Sequence, residues 1–213
     1  MLGAVEPPRE LLSEPELPPD SGWDSSADPE PEPESSGPIS APPDALRPVI
    51  DQSEASRMLE MATSKERVGV VLADWLRSTF GCGLVLVVKG DMLVGWQGFF
   101  PDAEDLIPAV AVPLGKPSMF TASLDAQRPF CGSPAEDGMK ANQLLWKLLR
   151  CKPPFEVIVC PVVIAKRTVN LIYAHAEDES PLTDTQFREA QVLAADAGAA
   201  YMRIIRRERA RAN

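Results

Sequence analysis

Four cysteines and one histidine are the side chains of this 213-residue chain best suited to covalent or proton-transfer chemistry. The cysteines stand at 82, 131, 151 and 160, and no two of them have C-x-x-C spacing. That pattern fits reduced thiols in a cytoplasmic protein better than a disulfide framework. A thiol becomes a nucleophile when nearby cations lower its pKa. Cys151 lies between Arg150 and Lys152 and is the strongest candidate for such activation. Cys160 lies inside the apolar run VIVCPVV and reads as inert core, whereas Cys82 stands between Gly81 and Gly83 in a predicted loop. His175 is alone, so it cannot build the usual multi-histidine zinc site. The acidic run EDE at 177–179 beside it should raise its proton affinity. Walker, GxGxxG, GxSxG and HExxH patterns are all missing. These residues call for no metal and no cofactor, and they point away from an enzyme.

The elements that would position these groups are legible by periodicity. A short helix is expected over EASRMLEMA. After it, Thr63 and Glu66 have capping-box spacing. Val68, Val71, Leu72, Trp75 and Leu76 then mark one apolar helix face, and the glycines of GCG at 81–83 suit its exit. LVLVV and MLVGWQGFF around KGD read as a β-hairpin, with a bulge near Gly95 and Gly98. AVAV at 109–112 and PFCG at 129–132 predict short strands, and 118–127 a helix capped by Ser118. Ala141, Leu144, Leu145, Leu148 and Leu149 predict an amphipathic helix. The stretch FEVIVCPVVIAKRTVNLIYAHAED holds two runs that are apolar on both faces, as in a sheet covered on both sides. Thr183 and Gln186 form a capping box inside a Leu182–Phe187 staple, and open a long helix with the stripe Phe187, Ala190, Ala194, Ala197, Tyr201 and Ile204.

Charge divides the chain. Residues 1–53 carry 12 acidic and 2 basic residues and 12 of the 22 prolines, so the whole net charge of -10 resides there and the rest is neutral. Few apolar groups, many prolines and one sign of charge predict a disordered tail over 1–53, followed by a single domain over 54–213. Within the tail Trp23 stands alone among acids and serines, as a hook for a partner protein would. A neutral domain argues against nucleic-acid binding. No apolar run approaches the ~20 residues of a membrane span, and the N-terminus lacks the basic region of a signal peptide.

The order helix, hairpin, irregular region, helix, hairpin, long helix resembles a GAF domain over about 63–205. TSKERVGVVLADWLRSTF, AVAVPLGKPSMFTASLDAQRPF, VIVCPVVIAKRTVNLIYAHA and TDTQFREAQVLAADAGAAY carry the resemblance. It is similar above all to GAF-like domains that end bacterial signalling proteins. The glycine usual in the last strand is Asn170 here, and no NKFDE-like motif or bilin-type cysteine is present. The resemblance implies an α+β sandwich, a central antiparallel sheet of five to six strands flanked by helices, with the first and last helices on one face. It implies that Trp96, Phe99, Phe120, Phe130 and Trp146 approach a ligand pocket, with Cys131 near its rim, although the same rings would equally fill a solid core. It implies a homodimer through the terminal helices, with the alanine-rich face containing Ala194, Ala197 and Tyr201 as the contact. The function expected from all this is a non-enzymatic signalling or scaffold protein that recruits a protein partner through its tail. A small-molecule sensor and a thiol-dependent reductase, after the GAF-like free methionine sulfoxide reductases, are the alternatives.

Overall fold

The computed structural model describes residues 48–134, 136–178 and 180–212. The expectations placed on residues 1–47, Trp23 among them, lie outside these. Near the start of the described residues Ile50 is buried in the core, and Asp51 caps helix α1 (Gln52–Met61), its carboxylate accepting from Glu54 N at 2.8 Å. The division expected after residue 53 therefore falls inside α1. Helix α2 (Lys65–Phe80) starts at Ser64, whose side chain accepts from Arg67 N at 3.2 Å. Thr63 and Glu66 do not form the expected capping box, because the helix begins one residue later. Gly81 closes α2 in the left-handed region at φ 75°, where a side chain would be strained.

Strands β1 (Gly83–Lys89) and β2 (Met92–Phe99) form the first hairpin. A bulge between Val85 and Leu86 leaves Trp96 unpaired between Gln97 and Gly95. Gly95 is required there: its N–H donates to Val110 O at 2.9 Å, and a Cβ would collide with the Ile107 carbonyl. A 3-10 turn (Glu104–Ala109), β3 (Ala111–Pro113), α3 (Thr121–Ala126), β4 (Phe130–Gly132) and α4 (Met139–Leu148) follow. Ser118 does not cap α3. It lies three residues ahead, its N–H donating to Thr121 Oγ1. Strands β5 (Val157–Ile164) and β6 (Arg167–Ala174) form the second hairpin, and α5 (Asp184–Ala212) ends the domain. Both halves of the α5 capping box are made: Gln186 N donates to Thr183 Oγ1 at 3.2 Å, and Thr183 N donates to Gln186 Oε1 at 2.9 Å.

The strands pair antiparallel in the order β3-β2-β1-β6-β5-β4. Period-two alternation sends Ile158, Cys160, Val162, Ile172 and Ala174 to one face, against α1, α2 and α5. Val157, Val159, Leu171 and Tyr173 point to the other, against α3, α4 and the 3-10 turn. The sheet is thus covered on both sides, as the two apolar runs of 155–178 require. The five α2 residues predicted to form one face are all fully buried. In α4 the buried residues are Asn142, Leu145, Trp146 and the following Leu149, whereas Leu144, expected on the buried face, is 69% exposed. Trp146, not Leu144, fills that side of the core.

Candidate functional site

The most chemically developed site lies where β6 runs out. Residues 173 and 175 share a face of the strand direction, so Tyr173 and His175 stand side by side in the second core. Tyr173 is fully buried and His175 is 3% exposed. Trp146 Nε1–H donates to the Tyr173 hydroxyl oxygen at 2.9 Å, and that hydroxyl lies 2.8 Å from His175 Nδ1. An indole nitrogen only donates. The Tyr173 oxygen therefore accepts from Trp146, and its own proton must go to His175 Nδ1 or be buried with no acceptor, which is costly. The imidazole proton is thereby placed on Nε2. No hydrogen-bond partner for Nε2 occurs among the described residues. Phe120 packs edge-on to Tyr173, with ring centroids 5.7 Å apart, and Phe100 stands 5.7 Å from the His175 ring. Burial pulls the His175 pKa down to about 4. The raised proton affinity expected from the nearby acids is overturned, because the loss of water around the ring outweighs them.

His175 lines a cavity of about 170 Å³. Phe100, Leu149 and Pro154 supply apolar wall, and Arg150, Lys152 and Glu177 also border it. Two thiols belong to the same wall. Cys82 Sγ–H donates to the His175 carbonyl at 3.1 Å, and Cys151 Sγ–H to the Trp146 carbonyl at 3.6 Å. Cys82, read as a loop residue, is buried at the head of β1. Burial raises its pKa to about 12, with the nearby Cys151 thiol adding to the effect. The activation expected of Cys151 does not occur: burial pushes it up to about 11, and Arg150 spends one guanidinium N–H on the Asp102 carbonyl at 3.0 Å. Cys160 is inert core as expected, raised to about 12 by burial. Cys131 is exposed on β4, and its pKa too is raised.

The five aromatic residues expected around one pocket do not converge. Phe120 and Trp146 join the Tyr173 cluster as core. Trp96 lies on the opposite face against α2, where its ring would meet any Cβ placed on Gly69. Phe99 lies under the Arg77 guanidinium, 5.9 Å from its ring centroid. Phe130 is half-buried on the edge strand β4. Ala194, Ala197 and Tyr201, expected to meet a second chain, are 5%, 0% and 5% exposed, because they seat α5 on the sheet. A wider cleft of about 560 Å³ runs past Trp96 and Gln97, and its ionisable lining residues are the acids Asp74 and Glu104. Among the described residues no group of three or more histidines, cysteines and acids is arranged to hold a metal, and no helix is long and apolar enough to cross a membrane.

No family model and no curated protein matches the chain. Solved structures do. A GAF domain from a phosphoenolpyruvate-protein phosphotransferase of Coxiella burnetii superposes with a TM-score of 0.59 at 8% identity, covering 74% of this chain and 94% of that one. Residues 122 to 287 of a methyl-accepting chemotaxis protein give 0.57 at 15%, covering 71% and 96%. A free methionine-R-sulfoxide reductase from Neisseria meningitidis, in complex with its substrate, gives 0.55 at 16%, covering 73% and 88%. The domain has a GAF-like fold, a six-stranded antiparallel sheet flanked by helices, as the order of its elements predicts.

Proposed function

We propose that the domain is a non-catalytic regulatory module that senses a small molecule in the cavity walled by His175. The observation that carries this reading is a nine-tenths-buried imidazole with one nitrogen fixed by Tyr173 and the other without a partner, beside a void. Such a donor invites an acceptor from outside the protein. The neutral thiols argue against the reductase alternative: a nucleophilic cysteine needs its thiolate near neutral pH, and all four pKa values here are raised. A role in signalling follows from the company the fold keeps, which includes a chemotaxis protein and a phosphotransferase GAF domain. Native mass spectrometry of the full-length protein tests the reading. A retained mass that disappears in His175→Ala supports it, and a bare polypeptide mass from every preparation counts against it.

A second reading, interaction with a protein partner or a second copy of the chain, rests on the outer side of α5. Val192 is 45% exposed there, next to the exposed Ala195 and Ala199 on the same stripe. Light scattering at micromolar concentration decides it: a dimer abolished by Ala199→Glu is expected, and a monomer removes the self-association reading.

A further inference from the structure

We propose that the edge strand β3, with the apolar groove between it and α4, docks an extended acidic segment of a partner protein by strand addition. The groove shares no lining residue with the His175 cavity. The main chain comes first. β3 ends the sheet, so one of its sides has no neighbouring strand. Gly95 N donates to Val110 O and Leu114 N donates to Asp91 O, and Val112 stands opposite Leu93 in the same register. Val110, Val112 and Leu114 therefore bond inward to β2. Alternation turns the N–H and C=O of Ala111 and the C=O of Pro113 outward. None of these groups has a partner among the described residues. They are what an added strand pairs with.

The side chains narrow the occupant. Val110 and Val112 face the second core. In an added strand, the residues on either side of the one opposite Ala111 turn the same way. There they meet a groove of about 450 Å³ whose α4 wall is Ala141, Leu144, Leu145 and Leu148. Leu144 is 69% exposed in it. Pro113 guards the edge against indiscriminate pairing. An exposed leucine beside it works against that protection and favours a specific apolar occupant. Lys116 and Lys140 are the ionisable residues of the lining, and neither has an ion pair among the described residues. They stand at the same end of the groove, because Gly138 packs on Pro117, whose carbonyl oxygen would lie 2.5 Å from a Cβ there. The acids of the loop before α4, Glu136 and Asp137, are exposed to water and pair with neither lysine. Unpaired cations without an acid in the lining favour carboxylates on the occupant. The segment that fits is extended, with apolar residues two apart and an acidic flank.

The test uses the full-length protein and a fluorescein-labelled synthetic peptide, EDLTLDE, amidated at its C-terminus. Its leucines are two apart, and its acids reach the lysines whichever way it runs. Fluorescence anisotropy should rise saturably, with a Kd on the order of 100 μM for so small an interface. The peptide KKLTLKK should bind at least about tenfold more weakly. Ala111→Pro removes the outward N–H and leaves the bonds of β3 to β2 in place. Val110 is already extended at φ -66°, ψ 122°, as a residue before proline must be. Leu144→Asp acts at an exposed position, and Lys116→Glu with Lys140→Glu reverses the charge. Each of these variants should weaken EDLTLDE at least about tenfold at an unchanged melting temperature. If Ala111→Pro melts early, Leu144→Asp carries the decision. No saturable binding, equal binding of both peptides, or binding unchanged in Leu144→Asp and in the double lysine variant overturns the proposal. A dimer seen by light scattering and dissolved by Leu144→Asp assigns the edge to a second copy and overturns the partner.

Discussion

Acidification from pH 7 to pH 5 should selectively weaken this fold through His175. In the unfolded chain the imidazole titrates near 6.5, and burial lowers it to about 4 in the folded state. Between those values the unfolded chain takes a proton that the folded one refuses, so stability is complete above pH 6.5 and falls as the pH drops toward 4. Integrating proton uptake from pH 7 to pH 5 gives a loss of about 2 kcal/mol. The window is unusually clean, because there is no second histidine and ordinary carboxylates titrate mostly below it. The assay is urea denaturation at the two pH values, at fixed ionic strength, for the native chain and for His175→Gln. Glutamine keeps an acceptor for Tyr173 but carries no titrating group, so it subtracts whatever the carboxylates contribute. The native chain should lose about 2 kcal/mol and the variant much less. A native-chain loss below about 0.5 kcal/mol, or an equal loss in the variant, refutes the burial argument.

Four further outcomes follow from the same structure. Tyr173→Phe should destabilise by about 2–4 kcal/mol, because it strands Trp146 Nε1–H and His175 Nδ1 together. Tyr201→Phe should change stability by less than about 0.5 kcal/mol or raise it, since its buried hydroxyl has no partner among the described residues; denaturant midpoints compare the two. At pH 7 a thiol-specific disulfide reagent should label exposed Cys131 first, half-buried Cys151 slowly, and Cys82 and Cys160 only on unfolding; Cys151 reacting fastest would restore the activated-thiol reading. The two-residue turn between β5 and β6 places Ala165 and Lys166 at φ 47° and 64°, so Ala165→Asn with Lys166→Gly should stabilise the fold by about 1 kcal/mol, read by thermal melting.

The elements were legible where one face of one element decides burial. Val68, Val71, Leu72, Trp75 and Leu76 are fully buried, and Thr183 and Gln186 cap α5 by contacts only three residues apart. Legibility failed where the deciding neighbour is distant in sequence. Leu144 fits the helical period of Leu145 and Leu148, yet it is exposed, because the sheet meets α4 one residue farther round, at Trp146. The alanines of α5 were expected to meet a second copy of the chain, but Ala194 and Ala197 are buried against their own sheet. Gly198, among them, would bring a Cβ within 2.9 Å of the Val163 carbonyl.

The candidate site was hidden for the same reason in sharper form. The pair Tyr173 and His175 is visible as Y-A-H at strand spacing, and that spacing alone places both rings on one face. What gives the pair its character comes from far away: Trp146 at 27 residues, and Cys82 at 93. Local sequence around His175 shows acids, which argue for a charged ring; the fold supplies Phe100, Leu149 and Pro154, which argue for a neutral one. Burial prevails because desolvation acts on the whole ring, while the side chains of Glu177 and Asp178 remain exposed to water and are screened by it. The same competition disarms Cys151. Two cations adjacent in sequence promise a thiolate, but adjacency along a chain does not fix where a guanidinium points. Arg150 turns to the Asp102 carbonyl, and the thiol is left in a wall it shares with a neutral histidine. The groups that meet there, beside the ends of α4, β1 and β6, are a neutral imidazole and two thiols that burial holds in the protonated form.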